Sequence, residues 1–319
     1  MIDFRYHLVS LIAVFLAVAL GIVIGTTALN DPISADIEAR VDQLEQDKRQ
    51  LEDQTQQLTA QLETTDAFDA AVAPALVDGT LQDSRVLVVA TSDAVTPEIT
   101  EQVGTLLDDA GATVSGVVQL QPEYSDPATE GALQDYAGSP GSIPAGVTLP
   151  ETEDAGRVVA ALLAQTLMVP TAPGATAADP EDVSSVLAGL SALDVLTVES
   201  SSVEPADYAV VLTRAGFEDN AEERNQTLLE LVTAFDSAGS GAVVAGTPAA
   251  ARDNGLVGTI RADPELSAAI STVDNVERAA GRISTVLALG QEAEGTSGMY
   301  GTGEDTQPVP PVPDAVPVP

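Results

Sequence analysis

From Leu8 to Leu29 the chain reads LVSLIAVFLAVALGIVIGTTAL, twenty-two residues without a charged side chain. As a helix such a run extends roughly 33 Å, enough to cross a hydrocarbon core of about 30 Å. Seven residues precede it and nearly all the rest of the chain follows, so the sequence predicts one membrane anchor carrying one large body. The short flank MIDFRYH holds Arg5, whereas the far flank begins with Asp31, Asp36 and Glu38 and stays acidic. That asymmetry favours a cytoplasmic N-terminus (residues 1–7) and an extracytoplasmic body, in the cell envelope. A cleaved signal sequence is the competing reading. Against it stand an apolar run longer than the usual h-region, a nearly uncharged n-region and no clean A-x-A site. Gly21 and Gly25 form a G-x-x-x-G, a weak signal for close helix approach.

Twelve Lys plus Arg against 49 Asp plus Glu give a net charge of −37, with no basic cluster anywhere, which excludes nucleic acid as a partner. Cysteine is absent, so stability rests on packing, and thiol nucleophiles and Cys-type zinc sites are ruled out. The single histidine, His7, precedes the apolar run, so the body cannot build a Ser-His-Asp, Cys-His or His-rich metal constellation. For copper the inventory is equally thin: Cu(I) favours Cys and Met, yet the methionines are the scattered Met1, Met168 and Met299.

After the apolar run, Asn30-Asp31-Pro32 and Ser34 carry helix-start signals. A heptad register then fits residues 33–65, with Ile37, Leu44, Leu51 and Leu58 at d, Val41 and Leu62 at a, and Lys48 and Thr55 as polar a positions. The pattern predicts a parallel homodimeric coiled coil. In that dimer Arg40 would meet Glu45 of the partner favourably and Asp47 would face Glu52 unfavourably. An amphipathic helix lying on its own body is the alternative. Residues 66–83, broken by Pro74 and Gly79, read as a hinge.

From residue 84 to 294 apolar runs of strand type alternate with helical periodicity. Strands are expected at 85–91, 113–120, 195–198, 208–213, 241–245 and 271–273, with helices between, and a long loop at 121–150. The class is therefore an α/β body with a mainly parallel sheet. Ligands of such sheets bind at the carboxyl ends of the strands, here Ser92, Asp93, Glu199, Ser200, Arg214, Gly246, Thr247, Asp274 and Asn275. No G-x-G-x-x-G or P-loop follows a strand. Asp93 and Asp274 could form an acid-base pair, but two carboxylates near strand ends are expected by chance in so acidic a chain. The sequence names no catalytic, cofactor-binding or metal-ligating residue, and no cofactor; the candidate site is the seam. The end, 295–319, with six prolines in its last twelve residues, reads as a disordered tail.

The opening MIDFRYHLVSLIAVFLAVALGIVIG and the segment STVDNVERAAGRISTVLALGQ followed by Met299-Tyr300-Gly301 resemble the actinobacterial MctB family of copper transport proteins. The resemblance covers most of the chain. It implies a role in copper homeostasis or efflux across the envelope or, as in SteB-like relatives, a role in cell division through control of peptidoglycan hydrolases. It supplies no ligand residues.

Overall fold

The backbone of α1 (Phe4–Val77) is helical without interruption, through both Pro32 and Pro74. The molecule is a computed structural model that describes residues 4–91, 95–139, 141–172 and 174–311, with backbone alone for 26–39. It divides into two compact units, Met1–Thr65 and Asp66–Pro319. The N-terminal unit is helical throughout its described residues.

Within the second unit the helix runs on through Pro74, the first of the two breaks the sequence suggested, and the chain turns at the second, around Gly79. Proline removes one donor in the last turn, but Ala73 and Val77 are buried in the body and hold the helix to its end. The reversal comes later, at 78–83. There the Thr80 hydroxyl donates to the Val77 carbonyl (2.7 Å), Leu81 N donates to Ala110 O, and Asp83 takes a left-handed conformation at φ 60°.

Next come β1 (Arg85–Ala90), α2 (Pro97–Asp109) and β2 (Thr113–Leu120), the expected βαβ unit. They are followed by α3 (Glu130–Ala137), α4 (Ala155–Leu167), α5 (Pro180–Ser191), β3 (Leu196–Val198), β4 (Tyr208–Thr213), α6 (Ala221–Ala238) and β5 (Ala242–Gly246). The last described elements are α7 (Leu256–Ala262), α8 (Pro264–Ala269), β6 (Ser271–Val273), α9 (Ala279–Ala293) and β7 (Met299–Tyr300). The described strands form one sheet in the order β3-β2-β1-β4-β5-β6-β7, parallel except that β3 runs antiparallel to β2.

The central strands are apolar on both faces, as a sheet covered on two sides requires. Leu87, Val89, Val211 and Val244 point into one core with α4, α5 and α6; Val86, Val88, Val210 and Val243 point into another with α2, α9 and the last turns of α1. Three of the described helix starts are held by carboxylates. Asp154 accepts from Arg157 N at the head of α4, and Asp263 from Glu265 N and Leu266 N at the head of α8. Asp66 of α1 accepts from Ala279 N (2.6 Å) at the head of α9, a cap supplied from 213 positions away.

Two stretches depart from the sequence reading. The expected loop 121–150 contains two 3-10 turns and α3, because Tyr124, Leu133 and Ala137 anchor it to the core and Arg224 binds Asp126 (2.6 Å) and the Pro122 carbonyl (3.0 Å). Residues 295–311 are not an extended tail: β7 lies beside β6, and Gly301 N and Gln307 O bond at 2.9 Å. Residues 312–319 lie outside the described ones.

Candidate functional site

The seam residues lie on α1, and those whose side chains are described stand open to solvent: Val41 48%, Leu44 67%, Leu51 63%, Leu58 59% and Leu62 54% exposed. Ile37 lies within α1, among the positions described by backbone alone. Lone exposed leucines are ordinary; here they recur every seven residues along one helix. The polar interruptions are locally satisfied. The Thr55 hydroxyl donates to the Leu51 carbonyl at 2.7 Å, which frees its methyl group for a packing surface. Lys48 pairs with Glu52 (3.4 Å) and Arg49 with Glu45 (3.0 Å), so Glu52 has a cation of its own helix at hand. These exposed pairs contribute only tenths of a kcal/mol, roughly 0.3–0.5 each.

The carboxyl edge of the sheet holds a different arrangement. Asp274, one residue past β6, is 1% exposed. Its Oδ1 accepts from Thr302 N (2.7 Å) and the Thr302 hydroxyl (3.3 Å), its Oδ2 from Gly303 N (3.0 Å) and Arg261 Nη1 (2.7 Å). Arg261, on the last turn of α7, also donates through Nε to Thr272 Oγ1 (2.9 Å) and through Nη2 to Tyr300 O (2.9 Å). A carboxylate with four such donors has no lone pair left for a metal or a substrate proton. Gly301 completes the turn at φ 129°, where a side chain would collide with the Asp274 carboxylate. The cluster clamps the C-terminal segment to the sheet.

Among the described residues, the others expected at this edge do not converge into a site. Asp93 and Ser92 lie outside the described residues. Glu199 and Ser200 are elsewhere, because β3 is antiparallel and its carboxyl end points the other way: Glu199 N donates to Val117 O, and the Ser200 hydroxyl accepts from Val117 N (3.2 Å). Thr247 donates its hydroxyl to the Arg214 carbonyl, which ties the ends of β5 and β4 together. Asn275 is buried with an unpartnered Oδ1.

At the opposite edge two carboxylates sit where strands begin. Glu292 Oε1 accepts from Ser271 N (2.8 Å) at the start of β6, its Oε2 from the Ser297 hydroxyl (3.2 Å), and Asp236 accepts from Ala242 N (3.2 Å) at the start of β5. Burial pushes both acids up from the usual carboxylate range, and Asp236 adds repulsion at Glu292. A folded-state pKa raised above the unfolded value means the folded state binds the proton more tightly. The stabilisation is therefore complete below about pH 4.5 and is lost as pH rises through the shifted value. Melting temperature is expected to fall with rising pH across that window, and Glu292→Gln, whose oxygen still accepts from Ser271 N while its amide can donate to the Ser297 hydroxyl, is expected to flatten the slope and melt higher at pH 8. A steeper slope in the variant would exclude Glu292 as the source.

One helix among the described residues, Phe4–Gly25, is long and apolar enough to cross a membrane, with a mean hydropathy of 2.9. No group of three or more His, Cys, Asp or Glu among the described residues is placed to hold a metal. Met168 is buried, with its methyl group against Gly239. Fold and surface together define a class: an N-terminal helix of membrane-spanning length, a heptad-bearing continuation and a doubly wound α/β body. Residues 1–311 match the family model described as "Copper transport outer membrane protein, MctB". The chain is 30% identical over 312 residues to "Copper transporter MctB" of Mycobacterium tuberculosis (strain ATCC 25618 / H37Rv), covering 97% of this chain and 99% of the relative. It is 30% identical over 316 residues to the protein of the same name from Mycobacterium leprae (strain TN), covering 95% and 97%. The chain belongs to the MctB family.

Proposed function

We propose that this chain is a non-catalytic, membrane-anchored envelope protein acting in copper homeostasis or efflux. In this reading its N-terminus is cytoplasmic, its body lies outside the membrane, and two copies join through the heptads of α1. The observation that carries the reading is the family match over residues 1–311, together with relatives named copper transporters that align from end to end. Copper is then cargo of an assembly rather than a ligand held by this chain. The donor inventory lacks cysteine and offers one histidine, and a single apolar span has no polar lining with which to conduct an ion.

A second reading, a coiled-coil scaffold that positions division or cell-wall machinery, is favoured by the exposed heptad leucines. A deletion strain separates the two. Copper hypersensitivity with normal septation supports the copper role, whereas septation defects with unchanged copper tolerance overturn it in favour of the scaffold. In calorimetry the purified chain is expected to bind copper weakly and to lose it to calcium or magnesium; a selective submicromolar site would contradict the cargo reading. For the anchor, protease added to intact spheroplasts is expected to digest the body and leave a membrane-bound fragment containing Leu8–Leu29. Recovery of a soluble mature protein beginning near Asn30 would show cleavage instead.

A further inference from the structure

The two faces of the sheet are unequally covered over β2 and β3. On one face Val118, Leu120 and Leu196 are buried, and α5 packs against β3. On the other, α2 is the last helix of the layer. Here Val117 pairs with Val88, Gln119 with Ala90, and Thr197 with Gln119, so all share the α2 side, where Val114, Val117 and Gln119 are only half-buried and Thr197 and Glu199 are exposed. The result is a groove of about 470 Å³ between the flank of α2 and the open part of the sheet. Along α2 it is bordered from Pro97 to Asp108 by positions spaced three and four apart, which form one stripe of the helix. Gly104 lies in the middle of that stripe, and a Cβ added there would meet only Val114 Cγ2 at 3.8 Å.

The geometry points to a docking slot for an amphipathic, Lys- or Arg-bearing helix of another protein. The slot lies where the next helix of the layer would sit, and its length matches roughly three helical turns. Its floor is apolar at Val114 and Val117, while the charged side chains that line it, Glu101, Asp108 and Glu199, are all acidic. A helix with an apolar stripe flanked by cations meets both requirements. Like charge disfavours the other occupants. A second copy of a chain carrying −37 would bring mainly carboxylates to these three, and nucleic acid or an anionic lipid surface would be repelled.

The test uses the full chain in nanodiscs of zwitterionic lipid and, as probe, a synthetic amphipathic peptide of leucine and lysine, about fourteen residues long to span the slot with a margin. Hydrogen exchange is expected to show protection confined to 97–108, 114–119 and 197–199. Affinity is expected to fall about tenfold in Glu101→Lys/Glu199→Lys, and to weaken with salt, as removal of paired charges predicts. Glu222→Lys/Glu223→Lys, on α6, serves as the control for nonspecific charge and is expected to bind as the parent does. Gly104→Leu fills the floor from a helical position and is expected to weaken binding without lowering the melting temperature. Equal losses in the two charge-reversal variants, or protection elsewhere, would overturn the slot. Concentration-dependent protection of the same segments without peptide would also overturn it, in favour of a second copy.

Discussion

Replacing Leu44 and Leu51 together by alanine is expected to turn a dimeric polypeptide of residues 31–319 into a monomer in sedimentation, with no change in the melting of the α/β body. Both side chains are about two-thirds exposed, so they contribute little to the stability of their own chain and their loss should appear in association alone. Deleting a leucine that becomes buried costs about 2–5 kcal/mol, and a symmetric dimer loses each one twice. The a-position Lys48 leaves little reserve to absorb that loss, because a cation in a seam fixes register at the expense of affinity. Thr55 weakens the seam less, since its hydroxyl is already bonded to the Leu51 carbonyl. A parent polypeptide that stays monomeric at high concentration would remove the dimer from the account. A double variant whose body also unfolds would show that these residues belong to the body's core. The same variant, returned to a deletion strain, bears on function: failed septation with intact copper tolerance would move the protein towards the scaffold reading.

The parts legible in the sequence were those with a strong local period. The apolar run and the run of apolar residues 86–90 in β1 each signal their structure within a few residues. What stayed hidden depends on distant partners. Nothing near Asp66 announces that it caps a helix beginning at Ala279, and nothing near Pro122 announces that Arg224 will hold the turns there. Helix α3 has eight residues, too few for its period to stand out, and is fixed by Leu133 and Ala137 reaching the core. The antiparallel sense of β3 is set by its pairing with β2, so Glu199 and Ser200, placed by sequence at the carboxyl edge, lie away from it. Asp274 was singled out as a possible acid-base residue. The residues that determine its actual role, Arg261 and the amides of Thr302 and Gly303, include two in a segment whose prolines and glycines read as disorder. One signal was available: in a chain with twelve basic residues, an arginine on an apolar helical stretch such as LVGTIRA suggests a buried partner.

That clamp leads to the largest expected loss of stability in the body. Asp274→Ala removes the carboxylate and leaves the Arg261 guanidinium, 12% exposed, facing a vacated space, with the Thr302 and Gly303 amides unpaired as well. Breaking a buried ion pair from one side costs about 3–5 kcal/mol, because the orphaned charge keeps its desolvation penalty and loses its compensation. For a body of this size each kcal/mol lowers the melting temperature by about 2–4 °C, so a drop on the order of 10 °C is expected in calorimetry. The damage should have a direction. Tyr300 O and the 302–303 turn are the groups tied to the clamp, so hydrogen exchange should accelerate first at 299–307 and then at β6, while β1 and β4 keep their protection until global melting. Removing both charges, in Arg261→Met/Asp274→Leu, should cost less than Asp274→Ala alone, since no unpaired ion remains. If Asp274→Ala melts close to the parent, or the double variant is worse than the single, the pair is not what holds the C-terminal segment against the sheet. That role would then pass to the β6–β7 backbone hydrogen bonds and the buried Tyr300 ring.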